Sequence, residues 1–379
     1  MYELGFSSER SKWLDKLFRV SFSYIILICI LAGIGVTTLY SAANGSWKPW
    51  ASAHLIRFGM ALLVMMMFYF LNVRYYYKYA YWFYAVSLLL LIGVEVSGHI
   101  GMGAQRWINL GLFKIQPSEL MKIGMVLFLA RYFSSMTMHG IRSMRGLIIP
   151  AICTVLPVAL IAVEPDLGTA LMVLSTAAVI LFAVGVQWWK FALVVLGTGC
   201  CLPIIWGMLH EYQQNRVLTF FNPERDPLGA GYHIIQSKIA FGSGGVFGKG
   251  FLHGTQTHLN FLPEKHTDFI FTMFSEEMGL LGSLSLVIIN MLLIALGYIF
   301  AYRTRNYFAK LVIIGLNTNY FLYVFINIAM VMGILPVVGV PLPLISYGGT
   351  VMFSIMISFG IIMCMSNTQS VSHTFDEDA

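Results

Sequence analysis

Several uninterrupted apolar runs, each close to 20 residues long, constrain this chain more than any other feature. A helix of about 20 residues spans the roughly 30 Å hydrocarbon core of a bilayer, and within lipid every backbone amide must find its partner inside the segment. With 58% hydrophobic residues, 11% charged residues and a mean hydropathy of +0.77, the chain has too few charges to cover a water-soluble surface of this size. The sequence therefore reads as an all-α polytopic integral membrane protein. Ten spans are expected, at about 20–42, 52–71, 79–97, 118–133, 146–164, 167–186, 189–209, 279–302, 309–333 and 349–366. The first follows Arg10, Lys12, Lys16 and Arg19, and Ser41-Ala42-Ala43 imitates a cleavage site. The run is too long for a signal-peptide core and many spans follow it, so it reads as an uncleaved first span.

Charge sets the orientation. Segments 1–19, 72–78, 131–145, 187–190 and 303–310 hold thirteen Lys and Arg, against three (Lys48, Arg106, Lys114) in the short loops between them. Cytoplasmic loops carry the positive excess, so both termini are expected inside. The division is then a cytoplasmic segment 1–19, one ten-helix membrane domain over 20–366 with a large extracytoplasmic loop at 210–268, and a cytoplasmic tail 367–379. The net charge of +6 belongs to this asymmetry and implies no nucleic-acid partner. Cys29, Cys153, Cys200, Cys201 and Cys364 all fall in apolar runs, without metal-ligand spacing or a disulfide framework, and read as packing residues.

Against this background, the charges of 264–277 stand out: Glu264, Lys265, His266, Asp268, Glu276 and Glu277. Charge at the edge of an apolar segment is costly without a partner or a task. Asp268, followed by Phe269-Ile-Phe271, reads as the reactive carboxylate, with a helix cap as the competing role. From Asp268 to Tyr302 is 35 residues, about 52 Å as one helix, too long for one crossing. Gly279 and Gly282 mark the natural break, leaving 268–278 as a short outer helix or re-entrant arm. Glu119 and Lys122, at i and i+3 on one face inside the fourth span, read as a structural ion pair that locks helices together. Glu164-Pro-Asp166 leaves two carboxylates near the outer surface, and Tyr232–Phe241 reads as an amphipathic helix on the membrane. The glycines of 242–250 could cradle an anion beside Lys249. Loop 334–349, with three prolines and no charge, reads as an ordered lid or cavity wall.

Gly103-Ala-Gln-Arg-Trp, Gln116-Pro-Ser-Glu, Glu164-Pro-Asp-Leu-Gly-Thr, Asp226-Pro-Leu-Gly-Ala-Gly-Tyr-His, Pro263-Glu-Lys-His-Thr-Asp-Phe-Ile-Phe and Gly339-Val-Pro-Leu-Pro-Leu-Ile-Ser-Tyr-Gly-Gly resemble, in order and over nearly the whole chain, the signatures of the SEDS (shape, elongation, division, sporulation) family. Gly231-Tyr-His-Ile-Ile-Gln-Ser and His253-Gly-Thr-Gln are similar to its RodA-like elongation branch. The resemblance implies a peptidoglycan glycosyltransferase that joins the disaccharide-pentapeptide units of lipid II into glycan strands during elongation. It implies as partners a class B penicillin-binding protein and other membrane proteins of the elongation machinery, Asp268 as the catalytic aspartate, and Glu119 with Lys122 as the ion pair of the fourth span.

The chemistry suits these residues. Extending a β-1,4 strand from an α-linked lipid pyrophosphate inverts the anomeric carbon and needs one general base. The leaving pyrophosphate needs positive charge in place of a general acid. Arg106, Lys114, Lys249 and Lys265 are outer-face candidates, and a divalent cation bridged to a carboxylate would serve the same end. Gln116, Glu264 and His266 complete the expected substrate-binding set. Two other readings stay open: a lipid II flippase or other transporter, with Glu95, Arg57 and His54 as midplane residues, and a non-catalytic scaffold of the elongation machinery.

Overall fold

A computed structural model describes residues 20–97, 99–101, 104–109, 114–164, 166–208, 211–226, 229–255 and 266–368. A long helix stands over each of the ten apolar stretches. They are α1 (Phe22–Ala42), α2 (Trp50–Phe70), α3 (Val73–Ser97), α4 (Pro117–Ser134), α6 (Met144–Val163), α7 (Leu167–Val184), α8 (Trp188–Met208), α11 (Ile270–Arg303), α12 (Tyr307–Val331) and α13 (Gly349–Ser366). Shorter helices are α5 (Met138–Arg142), α9 (Glu211–Phe221) and α10 (Ala230–Ser243). Eight of the long helices are long and apolar enough to cross a membrane. The other two are α4, which carries Glu119, Lys122 and Arg131, and α8, whose apolar part ends at Cys201.

Burial separates the helices into an inner and an outer set. In α12 and α13, 67% and 72% of the most apolar stretch is buried, against 22% in α2 and α6, so the former are the core and the latter face lipid. α4 belongs with the core, being buried from Pro117 through Ala130 almost without interruption. α12 packs on α4, α7, α11 and α13, and α13 packs on α2. Because lipid is as apolar as these side chains, helix association here rests on close packing and interhelical hydrogen bonds. Gly360 of α13 has room only for hydrogen against Met65 of α2, and Gly297 of α11 packs on Asn317 of α12.

Three expectations need correction. α3 starts at Val73, six residues before the expected 79, and takes Arg74 and Lys78 into its first turns. Its tyrosines explain this, since aromatic residues sit at the headgroup level and long cations reach water from a helix end. Arg131 of α4 caps the arrangement, donating to the Lys78 carbonyl at 2.8 Å and lying over the Tyr77 and Tyr81 rings at 4.9 and 4.3 Å. Second, the helical chain also carries one small sheet, where a loop was expected. Strands β1 (His99–Gly101), β2 (Ala104–Asn109) and β3 (Lys114–Ile115) form an antiparallel meander between α3 and α4. Third, α10 does not simply lie on a membrane surface. It packs along α11, burying Ile234, Ser237 and Ala240, and the Ser237 hydroxyl meets Thr272 of α11 at 2.9 Å and donates to the Val331 carbonyl at 3.1 Å.

The break expected near Gly279 is present. α11 changes direction there, at φ 66° and ψ −163°, a conformation that only glycine adopts without strain. The Gly-rich loop is sewn onto the break: Leu280 N donates to the Gly245 carbonyl at 2.9 Å, and Lys249 N and Gly250 N donate to the carbonyls of Glu276 and Glu277, both at 3.0 Å. Gly248 is pressed so closely on this stretch that any side chain there would strike the Glu277 carbonyl.

Candidate functional site

Asp268 lies in a turn over 266–269, immediately before α11. The helix cap is Phe269, with no side-chain hydrogen bond, so Asp268 does not hold the capping position that the sequence suggested as its alternative role. The turn is held from three sides. Asn327 of α12 donates from one amide nitrogen to the Asp268 carbonyl at 2.9 Å and to the Val340 carbonyl at 2.7 Å. Ser346 donates to the Thr267 carbonyl at 2.7 Å and accepts from Leu342 N at 2.8 Å. Tyr347 N donates to the His266 carbonyl at 2.8 Å. The Pro-rich loop 334–348 is thus the wall against which this turn is built. Asp268 is half-buried, and its Oδ2 would lie 3.4 Å from a β-carbon at Gly339, which is exposed and at φ 76°. The bare glycine therefore puts no side chain on that side of the carboxylate.

Among the described residues, rings and the Arg57 cation lie around the turn. His266 stacks on Trp50 of α2 at 4.5 Å, nearly parallel, and stands 6.0 Å from the Tyr347 ring. Arg57, two turns further along α2, places its guanidinium 4.5 Å over that same Tyr347 ring. His54, between them, is fully buried and its Nε2 meets the Leu344 carbonyl at 3.0 Å. Sequence reasoning grouped Arg57 and His54 as transport residues and did not place Trp50, Asn327 or Tyr347 near the site. The only signal of Trp50 and Asn327 was aromatic or polar character inside apolar helices, while Tyr347 lay in the Pro-rich loop already read as a wall.

The remaining carboxylates are arranged around this centre. Asp166 caps α7, accepting from Thr169 N at 3.3 Å and Thr169 Oγ1 at 2.9 Å, and Gln116 reaches it from the start of α4 at 3.4 Å. Gly168 in the same turn is pressed on Val338, so this corner abuts the loop beside Asp268. Glu276 and Glu277 are buried, and both face the Gly-rich loop. Glu276 pairs with Lys249 at 2.6 Å, and Thr255 binds both. Ser41 of α1 donates to Glu277 at 2.5 Å. Lys249, expected as a substrate cation, thus has an internal partner and is about a quarter exposed. Arg106 and Lys114 lie on β2 and β3, with their side chains outside the described residues, as are Glu264, Lys265 and the Glu95 side chain.

A second polar centre lies within the core. Lys122 pairs with Glu119 at 2.8 Å, and both are at most 4% exposed. Tyr323 of α12 donates to Glu119 Oε1 at 2.6 Å, Ser354 of α13 donates to Glu119 Oε2 at 2.6 Å, and Lys122 also meets the Tyr323 hydroxyl. Every charge here has an opposite charge or a donor, and three core helices converge on one carboxylate.

The family model that covers FtsW, RodA and SpoVE, described as cell cycle protein, matches residues 15–371. The peptidoglycan glycosyltransferase MrdB of Escherichia coli K12 is 45% identical over 357 residues, covering 94% of this chain and 95% of that protein. Stage V sporulation protein E of Bacillus subtilis is 32% identical over 364 residues, covering 95% and 91%. Among solved structures, a chain of a peptidoglycan synthase complex that coordinates polymerization and crosslinking is similar at a TM-score of 0.80, with 29% identity over 92% of this chain and 97% of that one. The rod shape determining protein RodA of Thermus thermophilus is similar at 0.70, with 27% identity over 92% and 96%.

Proposed function

The chain belongs to the FtsW, RodA and SpoVE family of cell cycle proteins, and on that footing we propose how its residues carry out the reaction. It is a peptidoglycan glycosyltransferase of the elongation type and a multi-pass protein of the bacterial inner membrane. The donor is lipid II. Asp268 takes the proton from the acceptor sugar's 4-hydroxyl, whose oxygen attacks the donor's anomeric carbon from the face opposite the pyrophosphate. The new C–O bond forms as the bond to the lipid pyrophosphate breaks, and the β-linkage results.

The observation that carries this reading is the turn at 266–268. A half-buried carboxylate is held by backbone and side-chain hydrogen bonds from α12 and the 334–348 loop, while the glycine beside it puts no side chain on that side. Positioning of this kind is what a general base needs. Arg57 supplies charge for the departing pyrophosphate, for which a guanidinium's fixed fork of donors is suited. His266, Gln116 and Lys249 support the site through Trp50, Asp166 and Glu276, and Arg106, Lys265 and Glu264 are proposed to contact substrate from the neighbouring loops. Among the described residues no three His, Cys, Asp or Glu gather to hold a metal.

Ten spans, cytoplasmic termini and an extracytoplasmic 210–268 complete the proposal, with a class B penicillin-binding protein as the crosslinking partner. Impermeant thiol labelling of a cysteine placed at Gly245 in intact cells tests the orientation, and labelling only after lysis overturns it. The activity test is purified protein given lipid II in detergent, with products sized on a gel. Glycan strands are expected. Absence of strands together with movement of labelled lipid II across vesicles would favour the transporter reading.

A further inference from the structure

Far from the Asp268 turn, α8 stands apart from the bundle. Leu193, Val194, Val195 and Leu196 are 57–69% exposed, so successive residues, which point in different directions around a helix, are all uncovered. Between α8 and the pair α6 and α7 runs an apolar groove of about 580 Å³, walled by residues such as Leu147, Ala151, Ala178 and Leu181. That volume falls within the roughly 300–1,000 Å³ of ordinary small-molecule sites. Its wall comes from the first half of α6 and the second half of α7, while the Asp166–Gly168 corner beside Asp268 lies at the other end of α7.

One end of the groove is not apolar. Lys190 lines it, almost fully buried, with its Nζ donating to the Arg142 carbonyl at 2.6 Å. Arg142 and Arg145 flank Met144, another lining residue, and both are exposed. Met144 also begins the 20-residue α6, whose positive dipole end points to the same place. Trp188 and Trp189 lie beside Lys190, the level at which aromatic residues meet headgroups. A hydrocarbon slot therefore ends at three cations, a helix N-terminus and an aromatic belt. Basic pockets between transmembrane helices select anionic headgroups, whereas an apolar slot alone selects nothing among lipids.

We propose that this groove binds one anionic phospholipid, its acyl chain between α6, α7 and α8 and its phosphate at Arg142, Arg145 and Lys190. The occupant is a bulk membrane lipid rather than the polyprenyl substrate, because the cations lie at the end of the bundle away from Asp268. Native mass spectrometry of the purified full chain, titrated with phosphatidylglycerol or phosphatidylethanolamine, tests it. One phosphatidylglycerol should be retained with about tenfold preference and should raise the melting temperature. The exposed pair Arg142→Gln with Arg145→Gln should abolish the preference, and Ala178→Phe, which fills the slot from a lipid-facing wall, should lower occupancy for both lipids. Equal retention of the two lipids by the wild type, a preference that survives both variants, or displacement by equimolar undecaprenyl phosphate would each overturn the proposal. The last would assign the groove to the substrate's tail.

Discussion

The chain keeps two carboxylates at the heart of its fold and treats them in opposite ways. Glu119 is 4% exposed and receives Lys122, Tyr323 and Ser354, so that its charge is fully answered from within the protein. Asp268 is half-buried, its backbone is clamped by Asn327, and the chain beside its side chain is a glycine. In the first case the protein immobilises the charge; in the second it immobilises the segment that carries the charge. A carboxylate whose oxygens are held by a lysine and two hydroxyls is a poor base, while one whose chain segment is positioned through the backbone suits the role proposed for Asp268. The difference is the one that the proposed roles require, Glu119 as a strut and Asp268 as the working group, although both are acids in an apolar setting.

Substitutions sharpen or break that contrast. The largest effect should come from Asp268→Asn, which preserves shape and hydrogen-bonding capacity but cannot accept a proton. Strand synthesis from lipid II should fall by about 10²–10⁴, with the melting temperature unchanged. Near-normal synthesis would move the base to Glu264, Glu276 or Asp166. Next is Lys122→Ala, which leaves Glu119 charged in the core and should cost about 3–5 kcal/mol, read as a lowered melting temperature or membrane level. Exchanging the two, Glu119→Lys with Lys122→Glu, should recover part of it. A Lys122→Ala protein that melts normally but cannot polymerise would erase the contrast and bring the pair into the reaction.

Smaller effects probe the surroundings. Gly339→Ala places a β-carbon near Asp268 Oδ2 at a positive φ, a backbone strain of roughly 1–3 kcal/mol. Activity should fall further than stability explains, which assays at matched folded fraction will reveal. Smallest in its effect on activity is Ser354→Ala, which removes one donor from Glu119 and should cost about 1.5–3 kcal/mol of stability, as a hydrogen bond to a charged group does. Specific activity per folded molecule should stay unchanged, and a selective loss would contradict the strut.

The sequence displayed the helices and half of each centre. Lipid imposes one requirement on a span, a long apolar helix, and length and hydropathy placed the ten long helices, eight of which meet that requirement. The β1–β3 meander escaped because its strands are short and separated by glycine-containing connections that read as a loop. Glu119 and Lys122 were legible as neighbours on one helical face. Tyr323 and Ser354 were not, because only packing of α12 and α13 brings them to α4. Likewise Asp268 stood out by its charge, while Asn327, which aims it, is an amide in an apolar helix with no local pattern to announce it.

Those distances along the chain also have a meaning in time. Tyr323 is 204 residues from Glu119, and at about 5–20 residues per second a ribosome takes about 10–40 s to synthesise what lies between. For that interval α4 is in or beside the bilayer with Glu119 answered only by Lys122 on the same helix. The i, i+3 spacing is then a provision for biogenesis: it lets one helix enter as a locally neutral unit before its permanent partners exist. A pair split between α4 and α12 would serve the finished fold equally well, yet would leave a bare charge waiting at the insertion machinery throughout that interval.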